Sequence, residues 1–374
     1  MDDAVRRLTD AGLRPPETVT LVMTNRCNLN CRHCWPESLP DAEAPFIETA
    51  VLGRLIREFA EMGAETLILT GGEPLLHPDW FHVLSVAADG GIGTVILQTN
   101  AILITETEIG LMKRLASHRI FFQISLDGAT AAHHEYVRGP LSFERTLEGL
   151  RRLRDAGLGD RIFLAFTEMW HNFEDIPDAL AMAYQLGVRR FATHSLVQGG
   201  RAGRTDQLAP PTADQYRRLL KRYGEDDAFR DRYLRLGRIA ALEWLKGRSE
   251  PSASCCTCIQ SPYVTARGML YPCVMLHADE YAAENLHERP LAEAVREMIP
   301  RWRELEKIRR RRAASIPDCE GCPGRRHCAA GCMGRAYERY GRLMAVEDRC
   351  ALRQAVYGWR PEADATGRSE PPGG

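Results

Sequence analysis

Between Glu17 and about residue 205, short apolar runs alternate with amphipathic stretches. The runs at 18–24, 66–70, 94–99, 120–125, 161–167 and 190–195 are β-branched or aromatic and apolar at successive positions. That pattern predicts strands of a parallel sheet, buried on both faces. The stretches at 48–62, 79–88, 106–117, 141–156 and 175–186 carry the helical period, and Gly63, Gly90, Gly157 and Gly187 stand where such helices stop. Six β/α repeats predict either a doubly wound sheet or a partial barrel. Sites in such folds lie beyond the C-terminal ends of the strands. The segments that follow the first, second and fourth strands therefore converge on one mouth.

Glycine and proline at Gly199-Gly200-Arg201-Ala202-Gly203-Arg204 and Pro210-Pro211 punctuate the end of this unit. We expect it to occupy residues 1–205, followed by bridging helices over 206–250, a cysteine-rich domain over 251–358 and a polar, disordered tail over 359–374. A chain of 374 residues is more than one core usually spans, in keeping with two domains. The formal net charge of −1 provides no field to draw nucleic acid or an anionic membrane, so neither is expected as a partner. Lysine occurs only at 113, 221, 246 and 307, which we read as coding bias. No apolar run spans a bilayer, and the acidic start lacks the apolar core of a signal peptide. A cytoplasmic location is expected, and there twelve cysteines point to metal ligation rather than disulfides.

The densest chemistry is Cys27-Asn-Leu-Asn-Cys31-Arg-His-Cys34, three cysteines at C-x3-C-x2-C just after the first apolar run. A 4Fe–4S cluster normally takes four thiolates. Three with no fourth nearby leave one iron open, and an open position separates a working metal site from a structural one. A zinc site that recruits His33, or three buried thiols, is the competing account. Gly71-Gly72-Glu73-Pro74 follows the second run and, taken alone, is a tight turn.

Together these two motifs, each at the end of a strand, resemble the radical S-adenosylmethionine (SAM) enzymes. The resemblance implies a partial (β/α)6 TIM-like barrel, open on one side for a large substrate. It assigns Cys27, Cys31 and Cys34 to a 4Fe–4S cluster whose open iron chelates the SAM amino and carboxylate groups. An electron entering that cluster would break the S–C5′ bond, and the 5′-deoxyadenosyl radical would remove hydrogen from the substrate. By the same resemblance His33 lies near the adenine, and Gly71, Gly72, Glu73 and Pro74 meet the SAM amino group. Asn100, Ser125 and Asp127 face ribose or substrate. Arg138 is a candidate partner of the SAM carboxylate, because a guanidinium pairs with it bidentately, a surface arginine being the alternative. The catalytic acid or base stays unnamed.

A second cysteine set follows: Cys258-x9-Gly268-x4-Cys273, then Cys319-x2-Cys322-x5-Cys328-x3-Cys332, then Cys350, with Cys255 and Cys256 just upstream. The x2 spacing alone also suits a zinc ribbon. The whole ladder resembles the SPASM extension of one radical SAM subfamily, which implies two auxiliary 4Fe–4S clusters and three clusters in all. Auxiliary cluster I would take Cys258, Cys273, Cys332 and one of Cys255 or Cys256, the other being spare. Auxiliary cluster II would take Cys319, Cys322, Cys328 and Cys350. The crossing of Cys332 to the first cluster is implied by the resemblance.

Two extra clusters favour a reaction with net oxidation, such as a thioether or carbon–carbon crosslink in a ribosomally made peptide. Tailoring of a small molecule, for example decarboxylation of a tetrapyrrole side chain, is the alternative within enzymes. A multi-cluster electron carrier is the alternative outside them, although a carrier needs no open iron. An external donor such as flavodoxin or ferredoxin is expected. The first strand starts near residue 18, which leaves no room for an N-terminal peptide-recognition domain, so a separate recognition protein is expected for a leader peptide. Sulfatase-maturing members of the subfamily would require an Asp after the cysteine of the G-x4-C segment; here Val274 follows Cys273. The run Arg309–Arg312 is read as a solvated helix face, with docking of an acidic peptide as the sharper alternative. Adjacent His133 and His134 do not share a helix face and are not a metal pair.

Overall fold

The computed structural model describes residues 2–38, 40–41, 43–247 and 259–360. Nine strands form one sheet: β1 (Thr18–Thr24), β2 (Thr66–Gly71), β3 (Thr94–Thr99), β4 (Ile120–Ser125), β5 (Ile162–Glu168), β6 (Arg190–Ser195), β7 (Gly237–Arg238), β8 (Tyr263–Val264) and β9 (Leu270–Tyr271). Their order is β7-β6-β5-β4-β3-β2-β1-β8-β9. Every pair is parallel except the hairpin of β8 and β9. The first six strands lie where the apolar runs predict them and pair in sequence order, each crossing over through helix. The sheet does not close on itself, because β7 and β9 end it on opposite sides.

The structure differs from expectation in how the strands are buried. Of the six predicted strands, β1 is buried almost throughout and β5 at five of seven positions. Along β3 burial alternates, with Val95, Leu97 and Thr99 buried and Ile96 and Gln98 half-buried. One face packs under the helices into the core; the other lines the concave interior, which an open sheet leaves unfilled.

Among the described residues, the helices Asp2–Asp10, Met333–Tyr340 and Cys350–Tyr357 lie outside the sequence expectation. The helix faces read at 133–134 and 309–312 belong to Ala131–Arg138 and Leu291–Ser315. Asp2–Asp10 covers one end, Ala131–Arg138 follows β4, and Leu291–Ser315 runs 25 residues through Pro300. The region after β6 is helical over Ala213–Glu225, Asp227–Leu236 and Ala240–Gly247, with β7 between the last two. The chain returns at β8, whose Tyr263 and Val264 pair with Thr20 and Leu21 of β1. The cysteine-rich region is thereby bonded to the strand that carries the first cysteine motif. Residues 361–374 lie outside the described residues.

Candidate active site

The loop after β1 is held by backbone contact with the end of β2. Gly72 N–H donates to the Thr24 carbonyl at 2.7 Å, and Glu73 N–H to the Arg26 carbonyl at 2.8 Å. A Cβ on Gly71 would lie 2.3 Å from the Thr24 oxygen, and one on Gly72 would lie 2.3 Å from the Arg26 oxygen. Glycine is required at both positions because two backbones touch there. The expected role, exposure of backbone to SAM, is joined by this one: the glycine pair docks the cysteine loop.

The loop delivers Cys27, Cys31 and Cys34 to a cavity of about 320 Å³ at the C-terminal ends of β1 to β6. His33, Gly71, Gly72, Asn100, Ser125 and Arg138 also line it. Glu73, Pro74 and Asp127 do not. Sequence reasoning missed Thr70, Gln123, Thr167, His194, Ser195 and Arg201, all of which face the cavity. Period two would have found several: Gln123 stands two residues before Ser125, and Thr167 two after Ala165, on the inward face.

Glu73 has partners within the protein itself. Its carboxylate is fully buried and accepts from Leu75 N–H at 3.2 Å, Thr99 Oγ1 at 2.8 Å and Asn100 N–H at 2.9 Å. Burial pushes its carboxyl up to about 7 against the pull of those three donors. Glu73 thus ties the end of β2 to the end of β3 and carries Asn100 into place. Pro74, also buried, opens the short helix that follows.

Asp127 lies behind the cavity wall. Burial raises its carboxyl, but the Arg138 charge, His33 and the Thr167 N–H outweigh that and hold it at about 2. Arg138 Nε donates to Asp127 Oδ2 at 2.7 Å. Thr167 N–H donates to Oδ1 at 2.7 Å, and His33 Nε2 lies 3.3 Å from Oδ2. One nitrogen of Arg138 is fixed in this way, and the guanidinium itself faces the cavity. That geometry suits bidentate pairing with a carboxylate. Asp127 thus fixes Arg138 and does not itself line the cavity. His134 Nδ1 accepts from Asp127 N–H, while His133 pairs with Asp175, so the two histidines point to different partners.

Several buried polar atoms have no partner. Asn28 Nδ2, His33 Nδ1 and Ser38 Oγ are among them, and His33 and Ser38 line the cavity. Such atoms are costly unless a ligand or water meets them. Burial pushes the Cys27 thiol up to about 12 and raises Cys31 too, so both are protonated until a metal displaces the proton. Among the described residues, no three Cys, His, Asp or Glu side chains converge on one point as a single metal ion needs. A cubane takes one thiolate at each iron, so its ligands surround a volume instead of meeting at a point. Three thiols, Arg138 and the unpartnered His33 and Ser38 atoms around one cavity fit a cluster with a chelating amino acid.

In the C-terminal region Cys319, Cys322, Cys328 and Cys350 line one small cavity. Cys332 is not among its lining residues. Cys273 is buried, and its backbone bridges to Ser261 beside β8. Cys255, Cys256 and Cys258 lie outside the described residues. Within the arginine run, Arg309 and Arg310 pair with Glu306, and Arg310 and Arg311 are exposed to solvent. Arg312 is fully buried and donates to the carbonyls of Ala330, Gly331, Leu343 and Ala345, stapling the cysteine loops.

An open parallel sheet with three thiols and an oriented arginine at its mouth defines an enzyme site for a cluster-bound cofactor. The radical SAM superfamily model matches residues 21–197. The AdoMet-dependent heme synthase of Methanosarcina barkeri is 30% identical over 357 residues, 90% of this chain and 97% of that protein. The mycofactocin maturase MftC of Mycobacterium ulcerans is 28% identical, covering 97% and 98%. Streptococcus suis SuiB bound to its precursor peptide SuiA superposes with a TM-score of 0.71 at 17% identity, over 93% of this chain and 78% of that one. The chain belongs to the radical SAM superfamily and is an enzyme of that superfamily. Membership brings a 4Fe–4S cluster and SAM.

Proposed function

We propose that this enzyme oxidatively modifies a peptide or protein side chain, forming a thioether or carbon–carbon crosslink in a ribosomally made peptide. The observation that carries the reading is the second cysteine constellation, with Cys319, Cys322, Cys328 and Cys350 around one cavity and Cys273 held apart from them. It supports three 4Fe–4S clusters, with Cys27, Cys31 and Cys34 at the SAM site. Auxiliary cluster I uses Cys258, Cys273, Cys332 and one of Cys255 or Cys256. Net oxidation needs a place for an electron, and auxiliary clusters provide one. Relatives named as a maturase and a synthase, similar along almost their whole length, weigh against a mere electron carrier.

The cluster, when bound, supplies the electron that releases a 5′-deoxyadenosyl radical from SAM. The chain's own residues do the rest. Arg138, oriented by Asp127, receives the SAM carboxylate. The glycine pair fixes the cysteine loop, and the open side of the sheet admits an extended substrate. Flavodoxin or ferredoxin delivers electrons, and a separate protein presents a leader peptide.

A second reading is favoured by one observation, the 30% identity to a heme synthase. On that reading the substrate is a tetrapyrrole whose carboxylated side chain is decarboxylated. Anaerobic incubation of reduced enzyme with SAM and the short peptides encoded beside its gene, or with a coproporphyrin, decides between them. A peptide product lighter by two hydrogens supports maturation. Loss of carbon dioxide from the porphyrin, with peptides untouched, contradicts it.

A further inference from the structure

The loop after β6 contacts the cysteine loop at residues other than those the glycine pair touches. Arg201 Nε donates to the Cys31 carbonyl at 2.8 Å, and Nη1 to the Ser38 carbonyl at 2.8 Å. The Arg201 backbone N–H donates to the Cys34 carbonyl at 3.2 Å. Gly200 takes φ +55°, and a Cβ there would lie 2.4 Å from the Trp35 oxygen, so this loop lies flat against residues 34–35. Arg201 lines the same cavity as the three cysteines. Unlike Arg138, whose charge is paired with Asp127, Arg201 has no carboxylate partner among the described residues. The loop is backed on its far side by Arg335, which donates to the carbonyls of Ser195 and Leu196 and pairs with Asp348. Arg335 sits on Met333–Tyr340, the helix that begins directly after Cys332.

We propose that Arg201 is a positioning residue for the SAM-site cluster: it clamps the carbonyls of Cys31 and Ser38, and it sets an unpaired cation beside the cluster. The proposal rests on Cys27, Cys31 and Cys34 being the ligands. Two donors in a rigid fork hold a loop as one ammonium does not. Such outer contacts orient ligands and tune a metal site. Reduction adds one negative charge to a cluster already bearing three thiolates, so a nearby cation favours the reduced form and raises the potential.

The test uses the holoenzyme with Arg201→Gln and Arg201→Lys, beside Arg217→Ala on the exposed face of the helix Ala213–Glu225. The SAM-responsive cluster is followed by an EPR-monitored redox titration and by the rate of iron release to a chelator. Arg201→Gln is expected to lower the potential and speed release of about four irons, one cubane's worth, with the rest unchanged. Arg201→Lys is expected to keep the wild-type potential, because the charge remains, yet release iron as fast as Arg201→Gln. Arg217→Ala changes neither. Wild-type potential and release in Arg201→Gln overturn the proposal. If that variant does not fold, wild-type iron release in Arg201→Lys overturns it instead. A SAM-responsive signal that survives in Cys27→Ala, Cys31→Ala, Cys34→Ala protein removes the ligand assignment, and the proposal with it.

Discussion

A Cβ on Gly72 would sit 2.3 Å from the carbonyl oxygen of Arg26, closer than carbon and oxygen pack. The Gly-Gly motif after β2 and the cysteine loop after β1 are therefore one structural unit, joined through backbone with no side chain between. Gly72→Ala should push the loop away and misplace Cys27, which directly follows Arg26. We expect loss of iron from the SAM site and at least a tenfold drop in 5′-deoxyadenosine formation, equivalent to about 1.4 kcal/mol or more. Iron analysis and a single-turnover assay check it; a fully active, iron-replete variant contradicts the contact.

Asp127→Asn tests the orientation of Arg138. Removing one partner of a buried ion pair typically costs about 3–5 kcal/mol because the other charge is left uncompensated. The variant should melt earlier and bind SAM more weakly, measured by thermal unfolding and by SAM titration. Loss of stability with unchanged SAM affinity would leave Asp127 a structural role alone.

Glu73 gives a pH dependence. Its carboxyl rises from 4.5 to about 7 on folding, because burial disfavours the charge. The stabilisation it provides is fully present below pH 4.5 and is lost as pH rises through 7. Wild-type stability relative to Glu73→Gln should thus fall between about pH 5 and 8, by up to about 3 kcal/mol at 1.36 kcal/mol per pH unit. Melting curves of both proteins across that range check the sign; a relative gain with pH contradicts it.

The strands were legible because a parallel sheet demands short apolar runs, and the cysteine motifs because ligand spacing is a sequence property. Contacts between distant segments were not. Nothing in Gly199-Gly200-Arg201 as a string distinguishes a clamp from a linker; only the fold brings Arg201 to Cys31. Nor does the string Gly71-Gly72-Glu73 show that the Glu73 carboxylate accepts from Thr99 and Asn100 at the end of the next strand. The helix read at Arg309–Arg312 proved to run from Leu291 to Ser315, through Pro300. Proline is a strong local breaker, but Ala294, Val295, Met298, Trp302 and Leu305 bury one face on both sides of it, and packing outweighs propensity.

Val274 is 38% exposed and follows Cys273 where a sulfatase-maturing enzyme would carry its base. Valine takes no proton. General-base assistance contributes on the order of 10²–10⁴-fold, so we expect no formylglycine from a sulfatase-type Cys or Ser peptide even while SAM is cleaved. Mass spectrometry of that peptide checks it, and aldehyde formation at a useful rate would show another residue acting as base.

The most direct test of the account is the yield of 5′-deoxyadenosine from reduced protein and SAM, measured together with iron in wild type and in Cys27→Ala, Cys31→Ala, Cys34→Ala protein. The account predicts cleavage by the wild type with about twelve irons per chain, and none by the variant, which keeps about eight at four per cubane. Cleavage that persists in the variant, or is absent from the iron-replete wild type, would contradict it.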